Sequence, residues 1–126
     1  MAFLKNCNIK FYTKGAGISA GTPLTITVRD EYDVVTAFTR NEFGPFEEHS
    51  ESGPFDLDII NSRKKADLRR GSIAIRMDPA TQGIWRFNFF TFLTFSDGTR
   101  LAGREVGIEL SNDMNEQIFG FDTIMK

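Results

Sequence analysis

Asp78, Asn112, Asp113, Asn115 and Glu116 are the residues of this chain best suited to hold an ion. Their side chains offer hard oxygen donors, and calcium takes about six to eight such oxygens at roughly 2.3–2.6 Å. They lie in two stretches that each follow an apolar run, so two loops would have to converge on one cation. The D-x-D-x-D-G spacing of a single-loop calcium site is absent. A solvated acidic rim that keeps the domain soluble is the competing reading. No cofactor is required by this pattern, and calcium is the one it allows.

Nucleophilic and acid–base chemistry has less to work with. His49 is the sole histidine, so a His-rich zinc site cannot form, and Cys7 is remote in sequence. Ser50 or Ser52 could pair with His49, yet no G-x-S-x-G elbow is present. Paired carboxylates hydrolyse glycosides only when set across a cleft. The run Lys14-Gly15-Ala16-Gly17 lacks the G-K-[ST] ending that cradles a nucleotide. The chain is therefore read as non-catalytic.

Two stretches could meet a partner. In Asn41–Gly53 (NEFGPFEEHSESG), Phe43 and Phe46 flank Gly44-Pro45 and are followed by Glu47 and Glu48. Two exposed rings with two carboxylates beside them would make a protein-binding anchor. The same rings could instead fold back and plug the end of the core. The basic run Arg63-Lys64-Lys65 and Arg69-Arg70 could touch phosphates or anionic lipid heads. Ala66, Asp67 and Leu68 interrupt it, and it reads as a solvated loop tacked down by Leu68.

Those residues must be carried by a scaffold, and the scaffold is written most clearly at 85–98 (WRFNFFTFLTFSDG). Trp85, Phe87, Phe89, Leu93 and Phe95 share one parity, with Thr91 its polar member. Arg86, Asn88, Phe90, Phe92 and Thr94 share the other. Successive strand side chains point to opposite faces, so this is one long strand with a greasy face and a mixed face. Asp97-Gly98 then supplies a tight hairpin turn with positive φ. Similar alternation recurs at Ile9–Thr13, Leu24–Arg29, Phe55–Ile59 (Phe55, Leu57 and Ile59 on one face), Ile73–Met77 and Glu105–Leu110 (Val106, Ile108 and Leu110 on one face). Val34–Arg40 is strand-rich without a clear face, and Phe119 and Phe121 run into an apolar tail. Ser62–Arg70 is the only helix candidate, with Ser62 as cap and Gly71 as stop. The expected fold is all-β, an antiparallel β-sandwich of about eight strands with at most one short helix, as a single domain over 1–126.

If consecutive strands alternate in direction, the loops sort between two ends. One end would collect 14–22, 41–53, 78–83 and 111–116, which are rich in Asp and Glu. The other would collect 30–33, 61–70 and 96–99, with most of the clustered Lys and Arg.

Composition sets the outer bounds. The chain has 126 residues, 15 basic and 17 acidic, for a formal net charge of −2. That balance gives no broad reason to bind nucleic acid. Thirteen Phe against two Tyr and one Trp point to a dry interior rather than a sugar- or peptide-binding surface. A single cysteine excludes an internal disulfide and, with no signal peptide read at the N-terminus, favours a cytoplasmic setting. No stretch approaches the roughly 20 apolar residues of a transmembrane helix.

The segment 73–98 (IAIRMDPATQGIWRFNFFTFLTFSDG) resembles paired strands of C2- and PLAT-type sandwiches, over about half the chain. The likeness extends to size, eight-strand architecture and acidic loops at one end. It implies the architecture and carries over no binding residue, because the paired aspartates of typical C2 calcium loops are absent. The function expected is a binding or assembly module working through protein–protein contacts or self-association, a homodimer being the simplest form. Open sheet edges, and Phe90 and Phe92 on the second face of the long strand, favour that reading. The alternative is a calcium-assisted module that contacts a peripheral membrane surface or a carbohydrate through its acidic loops.

Overall fold

The computed structural model describes residues 2–14, 22–43, 45–77, 84–111 and 114–125. Along them run β1 (Leu4–Thr13), β2 (Thr22–Arg29), β3 (Val35–Phe43), β4 (Ser50–Asp56) and β5 (Asp58–Ile59). After α1 (Lys65–Leu68) come β6 (Ser72–Met77), β7 (Trp85–Phe95), β8 (Arg100–Leu110), β9 (Glu116–Gly120) and α2 (Phe121–Ile124). Two antiparallel sheets result, one ordered β4-β1-β7-β8 and the other β5-β3-β2-β6-β9. They form the expected all-β sandwich.

Period-two alternation decides which side chains enter the core. On β7 every residue of the Trp85 parity is buried and every residue of the Arg86 parity is at least partly exposed. β2 repeats this with Leu24, Ile26 and Val28 inward. One contiguous apolar cluster fills the space between the sheets, and Phe89 of β7 meets Phe119 of β9 across it at 5.3 Å between ring centroids. Complete burial of a Phe is worth about 1.5–3 kcal/mol, so five fully buried Phe and Trp85 supply a large part of the driving force.

Strict alternation fails at several places, and three of them change the reading of the sequence, each with a local cause. In β1 the register slips between Leu4 and Asn6, so Leu4 and Cys7 are both buried although three residues apart. In β8 the register slips opposite Asn88, where Gly107 takes φ +70 and donates its N–H to Asn88 Oδ1 at 2.9 Å. This bulge flips the strand, so Ile108 and Leu110 point inward while Val106, expected beside them, is 56% exposed. The expected single strand Phe55–Ile59 is divided at Leu57. β4 pairs with β1 in one sheet and β5 with β3 in the other. The Leu57 N–H turns inward to the Cys7 carbonyl at 2.8 Å as the chain crosses between layers.

Other expectations are corrected at the connections. The 41–53 loop is shorter than read, because β3 extends to Phe43 and β4 starts at Ser50. The helix within 62–70 has four residues, and Lys64 rather than Ser62 precedes it without a side-chain cap. Ser62 Oγ instead donates to the Leu4 carbonyl at 2.7 Å. Gly71 does end this segment, and a Cβ there would overlap the Arg29 carbonyl oxygen. In the turn after β7 only Gly98 has positive φ, and Asp97 acts through its carboxylate, which accepts from the Thr99 N–H and hydroxyl. Those bonds hold the Asp97 carboxyl below its ordinary value. Phe121 starts a second short helix rather than continuing a strand, with its N–H on the Gly71 carbonyl at 2.9 Å.

Among the described residues, the strand ends sort between the two ends as alternate strand directions require. The Thr13–His49, Lys14–Arg86 and Met77–Asn115 backbone hydrogen bonds gather one end; Leu4–Arg63, Ser96–Phe3, Glu31–Asp67 and Phe121–Gly71 gather the other.

Candidate functional site

The calcium donors read from the sequence divide by location. Asp78, Asn112 and Asp113 lie outside the described residues. Asn115 precedes β9 and Glu116 opens it, and the Asn115 carbonyl accepts the Met77 N–H at 2.7 Å. Met77, the last residue of β6, and Asn115 therefore lie side by side. Among the described residues no group of three or more His, Cys, Asp or Glu could hold a metal.

Phe43 and Phe46 are buried, at 9% and 6% exposure. Of the two dispositions open to them, they take the plug. Phe46 lies within 5.7–6.3 Å, centroid to centroid, of Trp85, Phe11, Phe55 and Phe43. The physical reason is the aromatic floor made by Trp85 and Phe11, whose rings are 5.1 Å apart and need a lid against water. Glu47 and Glu48 remain exposed at the rim. As anchors for a partner the two rings are not presented to solvent. His49, also exposed, has φ +58 and its N–H on the Thr13 carbonyl at 2.7 Å, so its backbone serves the turn into β4.

The opposite end is closed by segment 61–71, and its central contact is ionic. The Asp30 side chain is fully buried and its Oδ2 lies 2.7 Å from Arg63 Nε. Its Oδ1 accepts the Tyr32 and Val34 N–H groups at 2.9 and 3.0 Å. Arg63 also reaches Asp67 at 3.9 Å. Part of the basic run is thus committed to structure, and Lys65 lies over the Phe95 ring at 5.7 Å. Cys7 is buried among apolar side chains, and desolvation pushes its thiol up to about 12. Such a thiol stays protonated and unreactive.

What remains is the outside of the two sheets. Their edges are blunted: β5 has two residues, and β4 carries Pro54, which has no N–H to offer. The β8 edge is broken by the Gly107 bulge. β9 is shielded where Gln117 Nε2 donates to the Glu109 carbonyl at 2.8 Å and where α2 packs against β8 and β9.

The outer face of the four-stranded sheet follows from register. Phe92 lies between Asn8 of β1 and Ala102 of β8; Phe90 lies between Lys10 and Arg104. Tyr12 is beside Asn88, and Thr94 beside Arg100. β4 places Asp56 beside Asn8 and Glu51 beside Tyr12. Lys10 Nζ meets Glu51 at 3.0 Å, and the Arg100 guanidinium lies 5.3 Å from the Phe92 ring centre. The face therefore has an aromatic middle, an acidic flank on β4, and a β8 flank that is basic at Arg100 and Arg104 and carries Glu109 at one end, paired with Arg86 at 3.2 Å. The outer face of the other sheet differs. Its middle is Thr25 and Thr27, with Phe38 and Ile118 apart on β3 and β9.

The sequence signalled this surface through the Arg86 parity of β7, but it could not tell which strands would flank β7 or which charges they would bring. No family model matches the chain, and no curated protein or solved structure matches it.

Proposed function

We propose that this chain is a non-catalytic β-sandwich module that works through protein–protein contacts made by the outer face of its four-stranded sheet. The observation that carries the reading is the half-buried Phe90–Phe92 pair on a central strand, flanked by Arg100 and Arg104. Interface cores are enriched in aromatic residues and arginine, and the strongest contacts cluster centrally within a polar rim. The blunted edges support a face rather than strand addition as the means of contact. The C2- and PLAT-type resemblance is carried only as far as the layered architecture.

Phe92→Asp tests the reading, with Thr25→Asp on the other sheet as control. Both variants should fold, with Trp85 emission as in the parent. Sedimentation velocity of the parent from 1 to 200 µM, alone and with any candidate partner, should show association that Phe92→Asp abolishes and Thr25→Asp preserves. Association insensitive to Phe92→Asp would refute it.

A second reading, calcium-assisted contact with a lipid surface or carbohydrate, rests on the Met77–Asn115 hydrogen bond. That bond sets Met77, which Asp78 follows in sequence, beside Asn115 and so near Glu116. A ligand that binds only the folded chain raises its melting temperature. A rise at millimolar calcium that Asp113→Asn removes would favour this reading, and no rise would set it aside.

A further inference from the structure

The outer face of the four-stranded sheet is complementary to itself, and we propose that a second copy of this chain is its occupant, forming a closed two-fold dimer. The inference rests on the interaction-module reading and specifies both partner and geometry.

The strand order β4-β1-β7-β8 puts the two flanks at equal distances from the line between β1 and β7. In a face-to-face pair whose two-fold axis follows that line, β4 of one copy covers β8 of the other, and β1 covers β7. A two-fold interface repeats every contact twice, so one favourable pairing counts double. Height along the strands follows from register. Arg104 sits level with Lys10, between the level of Asp56 and that of Glu51. The partner's Arg104 therefore arrives between Asp56 and Glu51, the second of which it shares with Lys10. Ala102 arrives level with Asp56, and the small side chain leaves Arg104 room to swing. In the middle, Phe90 meets the partner's Lys10 and Phe92 meets the partner's Asn8, so rings oppose a cation and an amide rather than one another.

The chain also meets the other demand of a stable pair, which is area. Four strands at about 4.8 Å span roughly 19 Å, and the nine residues Arg86–Thr94 at about 3.3 Å span roughly 30 Å. The projected face is thus about 570 Å² per copy, or roughly 1,150 Å² for the pair, at the lower end of specific interfaces. A contact of that size with arginine–carboxylate flanks is salt-sensitive.

The flanks provide the test. Variant X carries Glu51→Lys and Asp56→Lys, so both its flanks are basic. Variant Y carries Arg100→Glu and Arg104→Glu, so both are acidic. Each is checked for folding by Trp85 emission and measured by sedimentation equilibrium at low and high salt. Parent chain should dimerise, and X or Y alone should dimerise at least about tenfold more weakly, a change of about 1.4 kcal/mol. An equimolar X and Y mixture should form heterodimers at least as tight as the parent pair. X and Y dimerising alone as well as the parent would overturn this geometry while leaving self-association standing. A parent chain monomeric at 200 µM would overturn the dimer and leave the face to a foreign protein, the case that the Phe92→Asp comparison with candidate partners resolves separately.

Discussion

Replacing Phe46 by Ala should remove the lid from the aromatic floor at the acidic end. The ring is 6% exposed and lies 5.7–6.3 Å from four other aromatic rings. Truncating a buried Phe costs about 3–5 kcal/mol, through lost transfer free energy and the cavity left behind. Phe46 sits at the end of the core on a connection that can relax, so the lower value, about 3 kcal/mol, applies. Unfolding entropy of about 2.1 cal/mol/K per residue amounts to about 0.26 kcal/mol/K over 126 residues. The melting temperature should therefore fall by about 11 °C. Trp85, the sole tryptophan, is fully buried with its Nε1–H on Thr13 Oγ1 at 3.1 Å, and its ring touches Phe46. Its emission consequently reports both unfolding and any local opening. Thermal and urea unfolding followed by that emission are the assays. Phe46→Leu should recover more than half of the loss, since volume matters more than aromaticity at a lid. A fall under about 4 °C for Phe46→Ala would show that the ring carries under about 1 kcal/mol and would refute the plug.

Asp30→Ala should cost about 2–3 kcal/mol, by stranding two turn N–H groups and releasing Arg63 from its ion pair; Asp30→Asn keeps the turn acceptor and should cost about 1 kcal/mol. Denaturant unfolding of the two variants checks the order, and equal losses would show that the charge alone matters. Gly71→Ala should prevent stable folding because its Cβ would collide with the Arg29 carbonyl, whereas Gly98→Ala, with open space around it and φ +85, should cost about 1 kcal/mol. Soluble yield and melting temperature separate the two. Cys7 should react with a maleimide only on unfolding. Its thiol is raised from 9.0 to about 12 in the fold, so its neutral form is the folded form. The associated stability is intact below about pH 9 and is lost as pH rises toward 12, because the unfolded chain ionises first. Cys7→Ala should flatten that part of the stability profile relative to the parent, and identical profiles would refute the assignment.

The layered fold was legible because alternation along β2 and β7 survives in the structure unbroken, and a half-buried sheet leaves no other way to hide those residues. The exceptions share one cause. Counting in twos assumes that each strand residue has one opposite number, and a bulge violates this without changing composition. Nothing in Glu105-Val106-Gly107-Ile108 shows that Gly107 adopts φ +70 opposite Asn88. Leu57 was rightly read as apolar and inward, yet Phe55–Ile59 alternates equally well whether the chain stays in one sheet or crosses to the next. The fate of Phe43 and Phe46 hung on tertiary packing, since only the assembled Trp85–Phe11 floor offers their rings a place. The charge pattern of the outer face was illegible for the same reason. Glu51, Asp56, Arg100 and Arg104 are distant along the chain, and strand order alone brings them to opposite flanks of one surface.

The treatment of the strand borders has a consequence for colloidal behaviour. Fibre growth needs an uninterrupted ladder of amides that one molecule after another can extend at about 4.8 Å spacing. Here the outermost strands are short at β5, deprived of an amide at β4, kinked at β8 and shielded at β9, while β5 covers only Ala37 and Phe38 of the longer β3. A folded population therefore offers a neighbour little continuous ladder to extend, and the stretch of β3 beyond β5 is the border from which thread-like growth would have to start.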